Sequence, residues 1–399
     1  MGTSHLQLSR RELLSVSSAL VATAILPLGS GNAHAAAGQS KDRSGTGDAK
    51  TSPVSVEPRE RATGTVLVTG GTGFVGGWCV VELLRSGYTV RTTVRNLSKE
   101  AAARTAIGSA VQTGDRLSFV AADLTQDEGW DAAVAGCDYV LHVASPLGGG
   151  AAGDRQSLVT PARDGTLRVL RAATNTGVKR VVMTSAATAA TPPMSGPDRV
   201  SDETVWFDPT EEVDAYRHSK RLAERAAFDF MAKHPGPTSL ATVLPGAVFG
   251  PILPGDNLGS VDIIARLLQG RIPATPRFGL QIVDVRDLAD LHVRAMTSPA
   301  AAGQRFLGVG EFMWMSEIAA TLRAQLGAAA EEVPTRTTPD FIYRLLAMFD
   351  SSLKTMVPRL GRKQYHTAAK AQELLGWQAR PAAQTIVDCA RSLIEQKAI

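Results

Sequence analysis

Tyr216 and Lys220 are the pair in this chain with the most evident chemistry. They stand four residues apart in Asp214-Ala215-Tyr216-Arg217-His218-Ser219-Lys220. On a helix that spacing puts both side chains on one face. A phenol titrates near about 10 and is a poor acid–base group at neutral pH. A neighbouring ammonium favours the phenolate and brings the proton into working range. His218 and Ser219 turn away from at least one of the pair and read as helix-face residues.

The second constellation is Thr69-Gly70-Gly71-Thr72-Gly73-Phe74-Val75-Gly76. It follows an apolar run, 65–68, that reads as a buried strand. It opens a helix-like stretch from Phe74 to Arg85, ended by Gly87. The first spaced glycine permits a tight turn, the second lets backbone approach a pyrophosphate, and the third lets helix and strand pack closely. The helix N-terminus adds unpaired N–H groups and partial positive charge. Gly70, Thr72, Gly73, Phe74, Val75 and Gly76 therefore read as a dinucleotide cradle, and Lys220 as a partner for the ribose hydroxyls as well as for Tyr216.

The second strand, 88–94, ends in Arg95-Asn96, with Ser98 and Lys99 just beyond. A site selective for NAD ends that strand in Asp or Glu, which bonds the ribose 2′-hydroxyl. The carboxylate is missing here, and a guanidinium can hold a 2′-phosphate bidentately. Arg95 and Lys99 thus point to NADP(H).

These residues need a scaffold, and the pattern supplies one. After residue 62, candidate strands (65–69, 89–94, 117–121, 139–143, 180–184, 239–244, 280–284) alternate with helix-like stretches (74–86, 161–176, 215–233, 259–269). Such alternation predicts an α/β fold, a Rossmann-type doubly wound parallel sheet covered on both faces. The expected divisions are a dinucleotide-binding domain over 63–245 and a smaller, mainly helical C-terminal substrate lobe over 246–399, with 280–296 returning to the sheet. Trp206 and Phe207 precede the Tyr–Lys helix and read as packing residues. The apolar fraction of 44% against 20% charged residues is enough for a sizeable core. A net charge of +4 without a basic block gives no sign of nucleic-acid or membrane-surface binding. The three cysteines, Cys79, Cys137 and Cys389, are scattered, with no disulfide framework and no metal spacing; Cys79 and Cys137 read as core.

Residues 1–35 have a different character. Arg10-Arg11 stands before an apolar stretch, Leu13 to Leu28, and Ala33-His34-Ala35 offers a small-x-small cleavage site. This is the layout of a twin-arginine export signal. The stretch is shorter than the roughly 20 residues a bilayer span needs, so no stable membrane span is expected. Residues 36–62 read as a disordered linker. The expectation is an exported protein, periplasmic or secreted, and a cytoplasmic one if the signal is not used.

Taken together, these stretches resemble the extended short-chain dehydrogenase/reductases, most of all the dihydroflavonol reductase-like branch with its aldehyde and ketone reductases. The similarity runs from residue 65 to about 296. It includes Thr93-Val94-Arg95, Ala122-Asp123-Leu124, His142-Val143-Ala144-Ser145-Pro146, Val182-Met183-Thr184-Ser185, Lys220-Arg221-Leu222-Ala223-Glu224, Leu244-Pro245-Gly246 and Asp284-Val285-Arg286-Asp287, with a weaker match at Leu375-Gly376-Trp377. The resemblance implies that Asp123 and Leu124 line the adenine, Val143 and Ala144 flank the middle of the cofactor, and Pro245 touches the nicotinamide end. It also implies a serine hydroxyl that polarises the substrate carbonyl, the second serine of Thr-Ser-Ser. This chain has Thr184-Ser185-Ala186-Ala187-Thr188, so alanine stands there, and either Ser185 or Thr188 supplies the hydroxyl after a local shift or the site works with a weakened oxyanion hold. Ser185 is the expected choice. The activity expected is NADPH-dependent reduction of a small-molecule aldehyde or ketone by a monomer or homodimer. The alternatives are an NAD-dependent nucleotide-sugar epimerase or dehydratase, against which Arg95 argues, and a dinucleotide sensor without turnover, against which the intact Tyr216 and Lys220 argue.

Overall fold

The computed structural model describes residues 63–145, 155–192, 200–206, 215–255, 258–349, 351–354 and 356–399. The expected export signal and linker, and Phe207, lie outside the described residues.

Each expected strand of the first half forms. β1 (Thr65–Thr69), β2 (Thr89–Val94), β3 (Leu117–Ala121), β4 (Tyr139–His142), β5 (Arg180–Thr184), β6 (Ser239–Pro245) and β7 (Arg305–Gly308) make one sheet in the order β7-β6-β5-β4-β1-β2-β3. Every pairing in it is parallel. The strand order reverses between β1 and β4, the topological switch where dinucleotides sit. Alternation along β1 explains why both faces are covered. Val66 and Val68 enter one core with α1 (Phe74–Arg85) and the helix Val285–Thr297, while Leu67 enters another with the helices Arg155–Asn175 and Ala215–Lys233. All three β1 side chains are fully buried.

The expectation for 280–296 divides in two. The helix Val285–Thr297 does return to the main sheet's face, but the strand Gly279–Asp284 does not join that sheet. It pairs with Ala247–Phe249 and, antiparallel, with Phe312–Trp314 in a separate three-stranded sheet. The main sheet takes Arg305–Gly308 as its last strand instead. Around the small sheet, the helices Asp262–Leu268, Met315–Leu326 and Ala382–Glu395 enclose a second core that includes Phe249, Phe278, Ile318 and Ile386. Trp377 and Arg380 tie this region to the helix Val285–Thr297: the indole donates to the Asp287 carbonyl (2.7 Å), and Arg380 grips the Asp287 carboxylate (2.6 Å). Cys79, Cys137 and Cys389 are buried and unpaired, and burial raises the titration of each thiol.

Candidate active site

The glycine loop is held from below by β2. Gly70 N donates to Thr93 Oγ1 and Gly71 N to Thr92 Oγ1, each at 3.0 Å, and Gly73 N closes the turn onto Gly70 O. Gly70 has φ +72°, the left-handed region where side chains are costly. A methyl on Gly76 would lie 2.2 Å from Gly70 O, so the helix-to-strand approach there requires glycine. On Gly73 the nearest atom to such a methyl is Gly70 O at 3.4 Å, which leaves that side of the loop open to an approaching ligand. No side chain caps α1 and no acid lies in its first turn. Uncapped amides above an open glycine are what a pyrophosphate needs, so these residues fit a dinucleotide. Thr72 is exposed beside the loop and Val75 is half-buried, while Phe74 packs against both cores.

The far end of the cradle lies beyond β2 and β3. Their register pairs Val94 with Ala121, so Arg95 and Asp123 leave the sheet side by side. The Asp123 carboxylate accepts the Thr125 amide and hydroxyl, both at 2.8 Å. Those bonds, with the charges of Arg95 and Arg168, hold it below the usual carboxylate range. Leu124 is fixed by Arg168, which donates to its carbonyl at 2.9 Å. Arg95 and Lys99 are exposed at this rim. Ala144 closes the middle: its amide donates to Thr69 Oγ1 (3.0 Å), and a methyl on Gly70 would lie 3.0 Å from its Cβ. Val143 packs against the main core beside it.

Lys220 sits on the helix Ala215–Lys233 at the carboxyl end of β5, where its Nζ donates to Thr184 O at 3.2 Å. The side chain is almost wholly buried, and burial brings its titration down to about 8 against the opposing pull of Glu224. Its charge reaches His142, which burial foremost, and Lys220 second, lower to about 3. That neutral imidazole bonds Thr69 Oγ1 at 3.0 Å, on the strand that feeds the glycine loop. Lys220, β4, β5 and the cradle thus share one rim. Tyr216 lies one helical turn before Lys220 and is 38% exposed. Pro245 ends β6 on the same rim, paired with Gly308.

Ser185 lies inside a buried polar network. The hydroxyl expected to orient a carbonyl is 1% exposed and donates to Glu224 Oε2 at 2.8 Å. Glu224 is fully buried and also accepts Thr242 Oγ1 (2.7 Å) and Arg305 Nε (3.0 Å). Arg305 continues to the Glu203 and Val205 carbonyls at 2.7 and 2.8 Å, and Trp206 stacks on it with the guanidinium 3.9 Å from the ring centroid. A buried carboxylate needs such saturation, and Ser185 is one of the groups that provide it. Sequence reasoning gave Glu224 no role of its own, although its place four residues after Lys220 puts it on the same helical face. Thr184 is likewise occupied, with Oγ1 2.8 Å from His292 Nε2.

With this geometry stands a family match: residues 66–310 fit the NAD dependent epimerase/dehydratase family, and the chain belongs to it. Within that family it is similar to cinnamoyl-CoA reductase 1 of Oryza sativa subsp. japonica, 38% identical over 65% of this chain and 75% of the relative. The ketoreductase azaE of Aspergillus niger is 31% identical over 83% of this chain and 98% of its own. Among solved structures, the yeast methylglyoxal/isovaleraldehyde reductase Gre2, complexed with NADPH, superposes with a TM-score of 0.68 over 84% of this chain and 99% of its own, at 23% identity.

Proposed function

We propose that this protein is an NADPH-dependent reductase of aldehydes or ketones. The observation that carries the reading is the desolvated Lys220, held on Thr184 O at the rim that bears the glycine cradle, one helical turn from Tyr216. NADPH, when bound, supplies the hydride that the carbonyl carbon receives. The loop at Gly70–Gly76 and the amides of α1 hold the pyrophosphate, and Arg95 with Lys99 hold the 2′-phosphate. Asp123, Leu124, Val143, Ala144 and Pro245 flank the rest of the dinucleotide. Tyr216 gives its Oη proton to the carbonyl oxygen, so the product is an alcohol, and the phenolate regains its proton before the next turnover. Lys220 Nζ, cationic below about pH 8, stabilises that phenolate and bonds the ribose hydroxyls. The relatives named as reductases support the reaction class, and the missing acid after β2 supports NADPH over NADH.

The test is oxidation of NADPH across a panel of aldehydes, ketones and flavonoid ketones, with Tyr216→Phe alongside. The wild type should turn over at least one class, and the variant should lose on the order of a hundredfold or more in kcat while still binding NADPH. If both proteins bind NADPH and neither turns over any member, the reductase reading fails.

A further inference from the structure

We infer that the outward face of the helix Asp340–Leu346 is a membrane-surface anchor, an apolar stripe flanked by cations that lies on a bilayer bearing anionic headgroups. The inference does not use the reductase reading. Residues 341–349 carry two apolar stripes. Tyr343 and Ala347 are buried in the second core and Leu346 packs against it, so one stripe belongs to the lobe. Phe341, Leu345, Met348 and Phe349 stand at i, i+4, i+7 and i+8, the spacing of a single helical face. The helical course runs on past Leu346, where Met348 N donates to Leu345 O (3.1 Å) and Phe349 N to Leu346 O (3.0 Å). This stripe faces water: Phe341 is 71% exposed, Leu345 54%, Met348 69% and Phe349 84%. The two phenylalanines alone leave roughly 300 Å² of apolar surface bare, already the size of the largest patch on a typical soluble monomer.

Charge decides what covers the stripe. Residues 335–363 carry Arg336, Arg344, Lys354, Arg359, Arg362 and Lys363 against Asp340 and Asp350, a net +4 that equals the net charge of the whole chain. Dispersed over that length, these cations make no basic block in the sequence, and the fold gathers them. Arg344 is exposed on the helix itself, and Lys354 is exposed just beyond it. Arg277 places the turn at Gly361, between Arg359 and Arg362, beside the first residue of the helix. Its carbonyl takes the Gly361 amide (2.7 Å), and its guanidinium holds the Asp340 carboxylate (2.5 Å). That ion pair also neutralises the acid of the helix. A second copy of this chain would set like charges against each other across the face, and a neutral apolar segment would leave the cations unanswered. A bilayer with anionic headgroups answers both features, taking the apolar side chains at the headgroup boundary and the Arg and Lys side chains at its phosphates. Among the described residues no helix is long and apolar enough to cross a membrane, and this one lies in the interface instead.

The experiment uses the purified full chain and vesicles of phosphatidylcholine, alone or mixed with phosphatidylglycerol. Flotation with the vesicles gives the partitioning, thermal denaturation reports the fold, and light scattering reports the oligomeric state. The wild type should float with the mixed vesicles and not with the neutral ones. Its binding should fall as salt rises from about 0.1 M to about 1 M, where the screening length shortens to about 3 Å. Phe341→Ser combined with Phe349→Ser should lose on the order of tenfold in partitioning without melting lower. Arg344→Glu combined with Lys354→Glu should lose at least as much, again with unchanged melting. Met348→Trp should shift its emission to the blue with mixed vesicles, beyond any shift in the wild type. No flotation with the mixed vesicles overturns the inference, as does an emission that does not move. Equal flotation of the double-serine variant also overturns it, and would give the binding to the apolar stretch at 13–28. Dimerisation that the serine pair abolishes, without any lipid binding, would assign the face to a second copy instead.

Discussion

Arg95 and Lys220 are the same kind of charge in opposite settings. Lys220 is buried, so its protonation is a compromise between desolvation and the carboxylate of Glu224. Arg95 is exposed beside Asp123, free to turn toward a phosphate at small cost. Arg95→Asp should weaken NADPH by on the order of tenfold relative to NADH, because it replaces an attraction for the 2′-phosphate with a repulsion. Fluorescence titrations with each dinucleotide give the ratio, and an unchanged preference would remove the basis for choosing NADPH. Both residues were legible in the sequence, since a strand end and a four-residue helical spacing are local signals. The saturation of Glu224 was not. Its partner Arg305 lies 81 residues away, and only the closed sheet brings them together.

At the level of the element, the strand–loop–helix unit is built by exclusion. Gly76 is required because α1 and the loop touch, whereas a methyl on Gly73 would meet only Gly70 O, at an ordinary contact distance of 3.4 Å. The two glycines should therefore fail differently when a methyl is added. Gly76→Ala should lower stability by roughly 2 kcal/mol or more, as overpacked sites do. Gly73→Ala should melt close to the wild type but bind NADPH poorly. Thermal denaturation paired with a cofactor titration separates the two, and the opposite pattern would dismiss the loop as a mere structural turn. The unit was readable from residue types because glycine spacing between an apolar run and an amphipathic helix has few other uses. The strand Gly279–Asp284 was readable as a strand but not as a member of the small sheet. Pairing partners are a non-local property, and β7, four residues long, carried no signal of its own.

For the molecule as a whole, the neutral histidines set an acid limit. His142 and His292 are buried, and burial lowers them to about 3 and about 4. His366, against Thr191 and Gln281 at the edge of the C-terminal lobe, is lowered to about 4, by burial first. A folded value below the ordinary one means that the unfolded chain takes up protons first as the pH falls. The stability these groups contribute is complete above about pH 6.5 and drains away toward pH 4, at up to roughly 1.4 kcal/mol per pH unit for each histidine. Urea denaturation at pH 7, 6 and 5 should follow that slope, and His292→Gln should flatten it by the share of one group. A wild type equally stable at pH 7 and pH 5 would mean that these imidazoles are not held neutral. Composition and alternation foretold one sheet with both faces covered. They could not foretell how many imidazoles the core would keep uncharged.

The ion pair between Glu224 and Arg305 also imposes an order on assembly. The carboxylate belongs to the helix that carries Tyr216, and its guanidinium arrives only with the final strand of the sheet. A nascent polypeptide halted before that strand would have to bury the carboxylate with only the Ser185 and Thr242 hydroxyls against it and no countercharge from Arg305. The helix that carries Tyr216 and Lys220 is therefore fully neutralised only once the edge strand of the sheet is in place.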